Sequence, residues 1–145
     1  MSMDVQKIEW QEKLDLGYPL IDGHHKKLVS LINEFGDLLS SSSEKYKTSV
    51  GKVLKSLIDY TIYHFDEEEK IMNKYKYGNL KEHKKVHENF VNELKSRLIQ
   101  ILSGDQENGI KFYTFLWNWL FEHIAVVDKK WAAHIREKYP NAKIE

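Results

Sequence analysis

Apolar residues recur every three to four positions along this chain, in four stretches separated by polar, serine-rich or glycine-bearing breaks. The first stripe runs Ile21, His25, Leu28, Ile32, Phe35, Leu39, and the second Val50, Leu54, Leu57, Thr61, His64, Glu68, Ile71. The third gives Leu80, His83, His87, Phe90, Leu94, Leu98, Ile101. The fourth gives Tyr113, Leu116, Leu120, His123, Val127, Trp131, with Ile124 and Asp128 on the adjacent edge. Each spacing describes one buried face of a helix. No stretch shows the strict alternation of a strand.

Breaks fall at Ser40–Ser43, at Tyr77-Gly78-Asn79, and at Ser103-Gly104-Asp105 with Gly109 just beyond. They predict helices over roughly 20–40, 45–75, 80–102 and 108–135. Pro19 and Pro140 are the only prolines, so no proline interrupts the span between them. Gly36 and Gly51 fall inside predicted helices and weaken them slightly. Short connections between long helices make neighbours antiparallel. The predicted fold is therefore all-α, an up-down-up-down antiparallel four-helix bundle. An N-terminal arm, about 1–19 and holding Ile8 and Trp10, should lie on a bundle of about 20–135, followed by a short C-terminal tail. The length of 145 residues fits a single domain.

Composition narrows the partners. The 22 basic and 22 acidic residues cancel, which gives no electrostatic case for nucleic acid or an anionic membrane. With no cysteine, disulfides, iron–sulfur clusters and thiolate metal sites are excluded. The N-terminus has no signal-like apolar core, and no apolar run approaches the ~20 residues of a membrane span. A soluble, cytoplasmic, monomeric protein is the expectation. The seven histidines change the picture more than any of these.

Several polar side chains fall on the buried faces. In I-D-G-H-H-K-K-L, His25 is in register with Ile21, Leu28 and Ile32. His24 is rotated by about 100° from it and should be a partly exposed bystander. His64 and Glu68 are four apart in the second stripe, and His83 and His87 four apart in the third. His123 and Asp128 are five apart, so in an α-helix they would diverge by about 140° and flank the core-facing line. In D-E-E-E only Glu68 is placed to reach inside; Asp66, Glu67 and Glu69 read as solvated surface, and His134 as an ordinary histidine.

Singly, each of these has a bland explanation. A lone inward histidine is usually a satisfied core residue, and a lone H-x-x-x-E pair can be a helix-surface contact. Together, five imidazoles and two carboxylates from all four helices would enter one core. Buried unpaired, the ionised carboxylates would cost several kcal/mol each, so a cation must sit among them. Seven side-chain ligands are too many for one ordinary transition ion. Two octahedral ions are satisfied if Glu68 and Asp128 bridge, one solvent-derived oxygen also bridges, and the histidines divide three and two. One position then stays vacant. Imidazole and carboxylate without sulfur suit iron, manganese, zinc or cobalt alike.

These residues resemble the hemerythrin family, its bacterial branch in particular. The likeness rests on I-E-W near the start, I-D-G-H-H-K-K-L, H-F-D-E-E-E-K-I-M, H-K-K-V-H and W-L-F-E-H-I-A-V-V-D-K, and runs from about Trp10 to Trp131. The resemblance implies a centre of two iron ions, Fe2+ or Fe3+, with a bridging oxo or hydroxo group. On that pattern His83, His87 and His123 bind the filled iron, His25 and His64 the five-coordinate one, and Glu68 and Asp128 bridge. It also implies reversible dioxygen binding at the vacant position, with Leu28, Phe65, Trp119 and Leu120 lining the oxygen pocket. The His24 position is usually glutamine in similar sequences. A second imidazole there offers a hydrogen bond near His25 or an alternative ligand, and periodicity favours His25 as the ligand.

Oxygen storage, delivery or buffering is the leading expectation, because the ligand set is histidine-rich. Bundle di-iron oxidases use four carboxylates instead. The alternatives are an oxygen or redox sensor acting through a protein partner, and a di-iron enzyme acting on peroxide or nitric oxide.

Overall fold

A computed structural model describes residues 7–103 and 106–145. The first six residues of the arm, and Gly104 and Asp105 of the third break, lie outside the described residues. Five α-helices occur among the described residues, in chain order: α1 (Pro19–Leu39), α2 (Ser43–Lys74), α3 (Leu80–Ser103), α4 (Gln106–Glu122) and α5 (Lys129–Lys138). A short 3-10 turn, Glu12–Leu14, precedes α1, and a π turn, His123–Asp128, joins α4 directly to α5. Helix α1 packs on α2 and α4, and α3 on α2 and α4, which closes a ring of four. The predicted antiparallel four-helix bundle is the fold, and no strand occurs among the described residues. None of the described helices is long and apolar enough to cross a membrane.

Local chemistry sets the helix ends. Pro19 opens α1, where its missing N–H costs nothing. The carboxylate of Asp22 reaches back to accept from the N–H of Leu16 (2.8 Å) and of Gly17 (3.1 Å). Gly17 has φ +89°, a conformation other residues rarely adopt. Ser42 caps α2, its hydroxyl accepting from the Lys45 N–H. Helix α2 ends in a Schellman turn: the Tyr77 N–H donates to the Met72 carbonyl and the Lys76 N–H to Asn73. Lys76, not Gly78, takes the left-handed position there, with φ 57°.

The buried faces match the predicted stripes with two shifts. The α2 stripe ends on fully buried Met72 rather than Ile71. In the fourth stretch Ile124 and Asp128 are buried, while Val127 is only half-buried. The π turn causes the second shift, because its i→i+5 bonding takes up one extra residue and rotates the rest of the helix about its axis. Gly109 lies inside α4 rather than breaking it. Gly36 is needed for proximity: a Cβ there would come within 2.8 Å of the Tyr113 ring. The arm is stitched to α1 by a reciprocal pair, Ile8 N–H to Asn33 Oδ1 and Asn33 Nδ2 to the Ile8 carbonyl, both 2.8 Å.

Candidate metal centre

Helices α1, α2 and α3 and the π turn contribute to one buried polar cluster. Helix α1 supplies His25, α2 supplies His64 and Glu68, α3 supplies His83 and His87, and the π turn supplies His123 and Asp128. The two i, i+4 pairs share a face because four residues make little more than one α-helical turn. His123 and Asp128 meet for a different reason. Bonding from i to i+5 brings residues five apart onto one face, so His123 Nε2 lies 3.2 Å from Asp128 Oδ1. The divergence expected of an α-helix does not occur, and both side chains point into the cluster.

The geometry divides the cluster in two. Glu68 Oε2 lies 3.4 Å from His25 Nε2 and 3.1 Å from His64 Nε2. Glu68 Oε1 instead faces His83 Nε2 (3.1 Å), His87 Nε2 (3.2 Å) and His123 Nε2 (4.0 Å). Asp128 repeats the division, with Oδ2 3.3 Å from His25 Nε2 and Oδ1 3.2 Å from both His83 and His123. Each carboxylate thus turns one oxygen to a two-histidine side and the other to a three-histidine side. All five imidazoles present Nε2.

Burial sharpens the electrostatics. Glu68 and Asp128 are both fully buried. Desolvation alone would raise their pKa values, yet the surrounding imidazoles hold both carboxyls well below the usual carboxylate range. Burial would likewise lower the His25 and His83 pKa values, but the Asp128 and Glu68 carboxylates beside them raise both to about 9. His64 goes the other way, its pKa lowered chiefly by burial. Metal-free, the cluster therefore holds its anions by drawing in protons.

The residues fit a pair of cations. Glu68 Oε2, Asp128 Oδ2 and both ring nitrogens of His25 are buried without a hydrogen-bond partner among the described residues. Such groups are costly unless something completes them. Glu68 Oε2, Asp128 Oδ2 and His25 Nε2 face a common interior, and the donors are imidazole nitrogen and carboxylate oxygen, a set that suits divalent first-row transition ions.

Three residues around the cluster have a part in it that the apolar stripes do not predict. His24, expected to be partly exposed, is 8% exposed, and its Nδ1 sits 3.0 Å from His64 Nδ1. Glu69, read as solvated surface, places Oε2 2.8 Å from His87 Nδ1. Trp131 Nε1–H donates to Asp128 Oδ1 at 3.2 Å. The expectations for Asp66 (exposed), Glu67 (half-buried beside Lys70) and His134 (bonded to the Tyr75 carbonyl) need no such revision. Outer partners of this kind fix the tautomer and aim of a ligating histidine.

An apolar cavity adjoins the cluster. Leu28, Phe65, Trp119 and Leu120 all line it, together with residues that include Phe90 and Thr61. Its volume is about 10 Å³. The Thr61 hydroxyl is turned away into a bond with the Leu57 carbonyl, so the walls are effectively nonpolar. Phe65 stacks flat on His87, with centroids 3.7 Å apart and planes 1° apart, and Trp119 stacks on His123 at 4.4 Å.

Fold and cluster define a class: a four-helix bundle whose core holds a cluster of histidines and carboxylates of metal-ligand type. The family model for the hemerythrin HHE cation binding domain matches residues 16–135. A bacteriohemerythrin of Pseudomonas aeruginosa is 32% identical over 127 residues, 88% of this chain and 80% of that protein. One from Clostridium acetobutylicum is 29% identical over 84% of this chain and 96% of its own length. A myohemerythrin of Sipunculus nudus is 28% identical over 84% of this chain and 88% of its own length. The chain belongs to the hemerythrin family.

Proposed function

We propose that this protein holds two iron ions and binds dioxygen reversibly, as a store, carrier or buffer of oxygen. His83, His87 and His123 would hold one ion, His25 and His64 the other, and Glu68 and Asp128 would bridge them. The observation that carries this reading is the split of both carboxylates, one oxygen toward each histidine group. Two ferrous ions, when bound, supply the two electrons needed to take up dioxygen and recover them on its release.

The chain's own residues do the rest. The imidazoles present neutral Nε2 donors, and the two carboxylates cancel much of the ions' charge, which favours a centre that returns its ligand. The cavity beside the centre is small and offers a ligand no hydrogen-bonding wall. Its aromatic and aliphatic lining excludes water, and with it the solvent route to irreversible oxidation. These features favour a binding protein over an enzyme, whose substrate would need both space and polar anchors.

Anaerobic loading with ferrous ion, followed by air, tests the proposal. Two irons per chain are expected, with a visible absorption band that appears in air and fades under vacuum over repeated cycles. Iron that oxidises once without recovery, or a stoichiometry below two, would reject it.

A further inference from the structure

The His24–His64 contact carries an inference that rests on the metal-binding reading above. His64 Nε2 faces Glu68 Oε2 at 3.1 Å, so a metal held at this side takes the Nε2 lone pair. A neutral imidazole that gives up Nε2 must carry its proton on Nδ1. That Nδ1 lies 3.0 Å from His24 Nδ1, close enough for only one hydrogen between them. The His64 Nδ1–H then donates, His24 Nδ1 accepts, and the His24 proton is placed on Nε2.

His24 is held for this task. Its ring sits against Tyr60, edge-on at 6.0 Å, and Tyr63, tilted at 5.6 Å. Lys27 in turn lies over the Tyr60 ring at 5.5 Å. The imidazole is thereby boxed between α1 and α2 and cannot swing far from His64. The two sides of the cluster also differ. Behind His87 stands the Glu69 carboxylate, a charged acceptor; behind His64 stands a neutral imidazole.

We propose that His24 is a positioning residue, which fixes the tautomer and ring angle of His64 and strengthens its donation to the metal on the two-histidine side. An imidazole nitrogen accepts an N–H bond more strongly than an amide oxygen does. It therefore gives His64 more anionic character, and the bound metal's oxidised state should be favoured. The other histidine on that side has no such support, because His25 Nδ1 lacks a partner among the described residues. His64 is thus the ligand there whose aim is set from outside.

The test compares the wild-type chain with H24Q and H24L, each checked for unchanged helical content. Ferrous and cobalt(II) binding are measured by competition with a chelator, and the midpoint potential of the iron-loaded forms by redox titration. H24L should bind the weaker of its two ions about 10- to 100-fold less tightly than wild type. H24Q, whose amide oxygen can accept the same hydrogen, should recover most of that affinity. Both variants should have a midpoint potential above wild type. Wild-type protein that takes up two ions beside an H24L variant of equal affinity and potential overturns the inference alone. Wild-type protein that takes up no ion removes the metal-binding reading and this inference with it. Loss of affinity in H24L without rescue in H24Q, and with no change in potential, shows packing only and also overturns it.

Discussion

At the scale of single residues, two of the five imidazoles have a polar group behind them, His24 behind His64 and Glu69 behind His87. Glu69 shows why the outer partner matters. Its carboxylate on His87 Nδ1 pulls the ring proton outward and leaves Nε2 richer in electron density. Replacing Glu69 by glutamine keeps the shape and removes the charge. Metal affinity should fall about 10- to 100-fold, while E67Q, altering a neighbour paired with exposed Lys70, should leave it unchanged. Competition titration with cobalt(II) reads the difference, and equal affinities in the two variants would dismiss Glu69. The seven inward residues were legible because each lies on or beside an apolar stripe. His24 and Glu69 were not. Each sits one position from a cluster residue, about 100° around its own helix. Periodicity locates a residue relative to its own axis only. Whether a flanking position is covered depends on how closely the next helix packs, and here α1 against α2 and α2 against α3 close over both. The signal available was chemical: a ligating histidine needs an acceptor for its other nitrogen, and D-E-E-E and H-H hold such acceptors within reach.

At the scale of elements, helix number, order and approximate ends were readable from breaks and stripes, because tertiary burial and local propensity agree along the whole bundle. The π turn was not, since a helix of either pitch gives a similar apolar pattern over two turns. Its trace was the separation of His123 and Asp128 by five residues, which no α-helix brings to one face. The turn accommodates one residue more than an α-helix would, and Val126 is its exposed member. Deleting Val126 should let the segment close as ordinary α-helix while α5 keeps its seat, so that Trp131 and Ile135 stay buried. The metal-free deletion variant should melt no lower than wild type. It should nevertheless hold fewer than two ions, because the carboxylate reaches the cluster from an altered angle. Retention of two ions at unchanged affinity would show that the π turn is dispensable to the site.

At the scale of the whole molecule, the bundle buries a charge cluster that hydrophobic packing alone would not tolerate, and its stability should report what fills that cluster. In the metal-free chain His25 and His83 have pKa values raised from 6.5 to about 9. The stability they confer is complete below pH 6.5 and is lost as pH rises through about 9. Each shift corresponds to something on the order of a few kcal/mol. Glu68 and Asp128, held low, contribute above the ordinary carboxylate range and lose that contribution as pH falls. His64, its pKa lowered chiefly by burial, has the opposite sign to His25 and His83. Metal-free protein should therefore be most stable between about pH 5 and 6.5, with a melting temperature that declines toward pH 9. Bound metal displaces those protons, and its affinity grows as the imidazoles become neutral. Ions at a thousand times their dissociation constant would add about 4 kcal/mol. The gap in melting temperature between cobalt-loaded and metal-free protein should thus widen steadily from pH 6 to pH 9. Calorimetry at three pH values checks it: parallel curves would mean that protons and metal do not compete for one buried cluster, and that the imidazoles converge for some other reason.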